Sequence, residues 1–347
     1  MEKFMKKDFS DLKKCSIYFL MCSLLLGLTF FSTGCEEDES INSVTNDAEY
    51  CFFTESNDSG RTWSNIDYFG PEVKKLYSGV LIGSTGTYLV CGTNSQDQGA
   101  IWRSVDHGEN WTQVKSELDN FSQIIENYYS GSVIFAVSES NTDRKLFRST
   151  DDGNTWTELS LPNASKVVPV SFSERWLATE YSDIKYSDDN GDTWQTAYST
   201  SNNPVYDIQY PQNGSGTAVA VYTGGILRST NRGENWSIVL PETFTGGTYL
   251  SIGNDGNGIC FEGSGNGNQE QYKTNDFGAT WVFNGTFTNY QFNDLLTLNQ
   301  NLIILSTGEG IKISTDMGTT FTSTSVNFVT RDINYVGGEY MFVLGGR

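Results

Sequence analysis

The chain has 347 residues, with 42 acidic against 22 basic side chains and a formal net charge of −20. An acidic excess of this size excludes nucleic acid and anionic lipid as partners held by charge, because nothing offsets the phosphates. Aromatic residues make up 14% of the chain and prolines number only six, which describes a packed β-rich domain and excludes a disordered tail.

At the N-terminus, residues 1–14 carry five lysines, Ser16 to Phe31 is mostly apolar, and Gly34-Cys35 closes the run. A basic stretch, a short apolar core and a small residue before cysteine describe a secretory signal. The apolar core falls short of the roughly 20 residues that a membrane span needs. Ser32-Thr-Gly-Cys35 resembles a bacterial lipobox, with Ser32 where an aliphatic residue is usual. That resemblance implies a signal peptide over 1–34 and a lipid on Cys35, the only attachment to a membrane. Glu36-Glu-Asp-Glu39 follows; it resembles the surface-export signal of Bacteroidetes lipoproteins and reads equally well as a solvated tether. Residues 35–47 form an acidic linker in either case. Without the signal the balance is 17 basic against 39 acidic residues, as suits an exported, soluble surface protein.

From residue 48 onward one phrase, Ser-x-Asp-x-Gly-x-Thr-Trp, occurs seven times. Its third positions are Asp58, Asp106, Asp151, Asp189, Asn231, Asp276 and Asp316, and its last are Trp63, Trp111, Trp156, Trp194, Trp236, Trp281 and Phe321. The mean spacing is 43 residues, the period of a propeller blade or a helical solenoid. The flanks choose the propeller. Short β-rich runs such as Ala100 to Arg103 and Gly225 to Arg228 precede the phrase, and Thr, Val, Ile or Tyr follow it, so each phrase is the turn of a hairpin. The carboxylate is placed to accept loop N–H groups, the glycine supplies a positive φ, and burial of the tryptophan contributes roughly 2–3 kcal/mol.

These phrases resemble the Asp-box (bacterial neuraminidase) repeats of β-propeller proteins, and the resemblance covers essentially everything after residue 47. It implies that the box joins the third and fourth strands of a blade, on the face away from the usual ligand site. Asn231 and Phe321 depart from the pattern and imply two less tightly held blades.

Between boxes each repeat has room for two further strands. The blade of the fifth box reads Val205 to Tyr210, Thr217 to Tyr222, Gly225 to Ser229 and Trp236 to Leu240. Only one strand, around Glu49 to Phe53, fits before the first box, whereas Asp332 to Val336 and Tyr340 to Leu344 follow the last blade. The fold predicted is all-β: a seven-bladed propeller of four-stranded antiparallel blades over 48–347, its final blade assembled from both ends of the chain. Such closure leaves no blade incomplete.

Cys51, Cys91 and Cys260 each sit inside an apolar β-like run, which reads as core thiols and not a disulfide framework. The single histidine, His107, lies in the second box, which excludes a histidine triad or a histidine-rich metal site. No cofactor or metal is predicted.

Candidate binding residues come from a weak recurring motif at the starts of inner strands: Tyr206-Asp207-Ile208, Asn293-Asp294-Leu295 and Arg331-Asp332-Ile333. Asp207, Asp294 and Asp332, with Tyr206, Phe292 and Arg331 beside them, are placed to bind a cation or sugar hydroxyls, to serve as paired acids in glycoside hydrolysis, or to satisfy backbone N–H groups around the central channel. Phe121, Tyr128, Tyr129, Trp176 and Tyr290 are further aromatic candidates, and Thr93 to Gln98, Ser116 to Phe121 and Gly263 to Gln269 are the candidate contact loops. A sialidase would require an Arg-Ile-Pro segment and three ligand-face arginines, and neither is legible here. Xyloglucanase-like enzymes pair two such propellers, and this chain has residues for one. One domain with seven boxed blades more nearly resembles the photosystem II stability/assembly-factor type, which implies a non-catalytic protein-binding propeller; the function expected here is a non-catalytic scaffold for a protein or glycan. The alternative is a glycoside hydrolase using the funnel carboxylates.

Overall fold

Each box phrase closes a turn between the third and fourth strands of a four-stranded antiparallel sheet, and seven such sheets follow one another along the chain. The computed structural model describes residues 51–347, other than 65–66, 128, 130–132, 140–143, 245–247, 265–267, 289–291, 300–301, 327–328, 338–339 and 347. The signal peptide, Cys35 and the acidic linker lie outside the described residues, as do Tyr128 and Tyr290. Residues from Glu49 to the C-terminus form one compact unit.

Blades I to VI span 73–117, 120–159, 164–199, 205–240, 249–288 and 292–323. Blade IV shows how closely the pattern was readable: its strands are Val205–Gln209, Ala218–Tyr222, Gly225–Ser229 and Ser237–Leu240. Blade VII is built from both ends. Its inner strands Thr330–Gly337 and Tyr340–Gly345 pair with each other, and Phe52–Ser56 then adds to Tyr340–Gly345 with Phe53 opposite Leu344. Asp67–Tyr68 completes the sheet as its outermost strand. The innermost strands contact one another in sequence from blade I to blade VII and back to blade I, so the ring is closed.

The box works as a self-contained clasp. In the third box, Asp151 Oδ1 accepts the Ser149 hydroxyl and the Thr155 N–H, both at 2.8 Å, while Oδ2 accepts the Thr155 hydroxyl at 2.6 Å. The Gly153 N–H reaches the Ser149 oxygen at 2.9 Å, and the Trp156 indole N–H donates to the Gly153 carbonyl at 3.0 Å. Gly153 has φ +76°, and a Cβ there would also strike Leu89 of the preceding blade at 2.5 Å, so geometry and packing both demand glycine.

Packing follows the same logic. The seven apolar clusters each lie between neighbouring blades, and each includes one box aromatic: Trp111 with Phe53 and Phe342, Trp156 with Leu89 and Ile101, Trp194 with Phe135, Trp236 with Leu177, Trp281 with Val219, Phe321 with Phe261, and Trp63 with Ile304. The aromatic of one blade is thus wedged against the one before it. Cys51, Cys91 and Cys260 are buried free thiols, and burial pushes Cys51 up to about 11.

Candidate functional site

Strand direction alternates within a blade, so the turns between first and second strands share the box face. The turns between second and third strands share the opposite face with the blade-to-blade connections. The inner strands run from that opposite face along the channel. Most carry a β-bulge near their start, and the residue after it occupies one recurring position around the ring: Ser78, Gln123, Lys166, Asp207, Asp294 and Asp332. In blade V the corresponding residue is Tyr249. Tyr206, Asn293 and Arg331 are the extra residues of these bulges, which is what the recurring x-Asp-apolar motif encodes.

Each of these side chains reaches the next inner strand. Asp332 Oδ2 accepts the Gly79 N–H at 2.8 Å, Ser78 Oγ the Ile124 N–H at 3.3 Å, and Gln123 Oε1 the Val167 N–H at 2.9 Å. Asp207 Oδ2 accepts the Leu250 N–H at 3.3 Å, and Asp294 Oδ2 the Ile333 N–H at 2.9 Å. Lys166 has no acceptor to offer, and Tyr249 uses its hydroxyl as a donor. Lys166 Nζ instead pairs with Asp207 Oδ1 at 3.0 Å, and the Tyr249 hydroxyl donates to the Phe292 carbonyl at 2.6 Å. The N–H groups that those two leave unserved are taken up by the following aspartates themselves: Ile208 N–H by Asp207 Oδ1 at 2.7 Å and Leu295 N–H by Asp294 Oδ1 at 2.8 Å. The three carboxylates therefore belong to a continuous belt of contacts between blades.

The electrostatics of the belt are uneven. Burial, and then the charge of Asp332, push Asp294 up to about 7, and burial raises Asp332 as well. Burial alone would lower Lys166, but Asp207, Asp294 and Asp332 outweigh it and hold the ammonium above its usual value. Lys166 has no motif around it, and its part was not legible in the sequence.

Of the remaining candidates, Phe292 is 5% exposed and stacks on Phe261 with ring centroids 4.6 Å apart. The Tyr206 hydroxyl lies 3.1 Å from the Thr223 hydroxyl, with its ring against the blade IV–V core. Phe121 and Trp176 are buried too. Trp176 stacks on Phe135 and donates to Asn190 Oδ1 of a box at 3.3 Å, so it belongs to the box face. Tyr129, in a first-to-second-strand turn, also lies on the box face, its ring 4.3 Å from that of Phe172. Both are corrections to the expected ligand-face aromatics, since their places at strand starts and turns put them at the wrong end.

A groove lies elsewhere. On the face opposite the boxes, a hollow of about 1090 Å³ runs across blades I to III, between the turn holding Asp97, the connection Leu118–Asn120 and the turn from Glu180 to Asp183. Two of the three contact loops expected from sequence border it. In the third, strands reach Ser264 and resume at Asn268, with 265–267 outside the described residues.

The comparisons agree with this architecture. A family model described as BNR/Asp-box repeat matches residues 185–196, and one described as Sortilin, neurotensin receptor 3 matches residues 99–179. No curated protein matches the sequence. Among solved structures, YCF48 from Cyanidioschyzon merolae is similar at TM-score 0.59 and 17% identity, covering 80% of this chain and 94% of that one. A YCF48 structure bound to D1 peptide gives TM-score 0.56 and 17% identity over 80% of this chain and 95% of that one. The GH74 xyloglucanase from Xanthomonas campestris gives TM-score 0.56 and 13% identity, over 73% of this chain but only 45% of the enzyme. At these identities the likeness is one of fold. The chain is a seven-bladed β-propeller carrying Asp-box repeats.

Proposed function

We propose that this protein is a non-catalytic binding propeller, exported and held at the outer membrane by a lipid on Cys35, that presents the face opposite its boxes to a protein partner. The observation that carries the reading is the use made of the funnel carboxylates. Asp207, Asp294 and Asp332 all accept backbone N–H groups of the adjoining blade. A glycosidase needs two carboxyl groups free to face the scissile bond. The open groove on the same face offers a contact surface in their place, and a propeller of similar fold has been seen with a peptide bound.

The glycosidase reading draws on the likeness to xyloglucanase propellers, and its test is direct. The purified full chain is assayed for release of reducing sugar from xyloglucan and other β-glucans, and for sialic acid from sialosides. No turnover is expected; turnover lost in Asp294→Asn would overturn the proposal. The anchor is tested separately by metabolic labelling with a fatty acid, which Cys35→Ala should abolish.

A further inference from the structure

The groove across blades I to III has a chemistry of its own, and it deepens the binding-propeller reading on which it rests. Five carboxylates and two cations line it. Both cations are already committed: Arg144 Nη2 to Glu139 at 3.1 Å and Lys185 Nζ to Glu180 at 2.7 Å. Asp97 is held by Lys74 at 2.5 Å. Asp119 and Asp183 remain, with no ion-pair partner among the described residues, one on the blade I–II connection and one at the edge of blade III. Two large apolar side chains stand beside them in the solvent: Leu118, 83% exposed, next to Asp119, and Tyr181, 59% exposed, two residues from Asp183. Singly such groups need no explanation; here both stand on the rim of the same acidic groove.

We propose that this groove binds an extended, basic segment of a partner protein, with lysine or arginine side chains meeting Asp119 and Asp183 and an apolar side chain set against Leu118 or Tyr181. The shape argues for a chain over a small ligand. Small-molecule pockets are mostly apolar and about 300–1,000 Å³, whereas this hollow is lined mainly by polar side chains and crosses three blades. The placement of the acids argues against a metal ion, because among the described residues no three acidic, histidine or cysteine side chains converge closely enough to hold one. Carboxylates spread along a rim suit cations spaced along an extended polypeptide. The net charge of −20 draws such a segment in from a distance.

The test is a display selection of random ten-residue peptides on the full-length protein, followed by titration of the enriched peptides. Enrichment of sequences mixing Lys or Arg with apolar residues is expected. Their affinity should fall about five- to tenfold in Asp119→Asn/Asp183→Asn and weaken with salt, since two rim charges are lost. Leu118→Ser should weaken the same peptides. Glu109→Gln/Asp152→Asn, which removes two acids from box loops, should leave affinity within about twofold. Peptides held equally well by both double variants would overturn the groove while leaving a binding propeller in place. Absence of any enrichment, or capture of a glycan lost in Asp119→Asn/Asp183→Asn, would overturn the polypeptide assignment. Sugar turnover would strike instead at the non-catalytic reading.

Discussion

Asp332 Oδ2 accepts the backbone N–H of Gly79 at 2.8 Å, joining the inner strand of the last blade to that of the first across 253 residues of sequence. The same oxygen takes the Asn334 side-chain amide at 2.6 Å. One carboxylate thus completes the belt at the seam where the two ends of the chain meet.

The seam should decide whether the ring folds at all. Deleting 331–347 removes Tyr340–Gly345 and nearly all of Thr330–Gly337, and leaves Phe52–Ser56 without its inner partner strand. Cooperative unfolding in denaturant is expected to disappear in the truncated chain. A truncated protein with the midpoint and slope of the intact one would contradict the two-plus-two closure.

The boxes set individual increments. Asp151→Ala removes three accepted bonds and is expected to cost about 1–2 kcal/mol, by analogy with a lost helix cap. Asn231 supplies only Oδ1, to Ser229 and to the Asn235 N–H, both at 3.0 Å. In the second box the matching Asn110 side chain donates to Asp106 Oδ2 at 2.7 Å. Asn231→Asp should regain that bond and stabilise by about 0.5–1 kcal/mol, read as a raised denaturation midpoint.

Two groups of carboxylates give opposite pH dependence. Hydrogen bonds from Thr320, backbone first and then side chain, hold Asp316 down at about 2, below its unfolded value near 4. Its contribution is complete above about pH 4 and disappears as pH falls toward 2. Asp294 sits at about 7, above its unfolded value, so the native state binds its proton more tightly. Stability from this group is greatest below about pH 4 and declines as pH rises through 7. The denaturation midpoint should therefore be higher at pH 5 than at pH 8, and Asp294→Asn should flatten that slope. An unchanged slope in the variant would assign it to another group.

Blade number, box geometry and the shared blade were legible because the box repeats with its spacing and its residue types intact. Even the looser copies, Asn231 and Phe321, keep their place in a clasp and an inter-blade cluster. The belt was legible only where it happened to be aspartate. Its seven positions hold Ser78, Gln123, Lys166, Asp207, Tyr249, Asp294 and Asp332, because several residue types can bridge to a neighbouring inner strand, so Lys166 had nothing to mark it. Trp176 and Tyr129 lie at the box end, which the sequence does not show, because an aromatic in a repeat shows its spacing but not which end of the strand it occupies. The groove was visible only as two long loops. Asp119 and Asp183 are unremarkable singly, and only the fold brings their blades together.

The central claim is that the funnel aspartates hold the ring and leave recognition to the outer loops. The most direct measurement is the unfolding free energy of Asp332→Ala against the parent chain in denaturant at neutral pH. An orphaned Gly79 N–H should cost about 1–3 kcal/mol, and a loss in that range is the result expected. An unchanged or raised stability, as when a carboxylate kept for ligand or chemistry is removed, would contradict it.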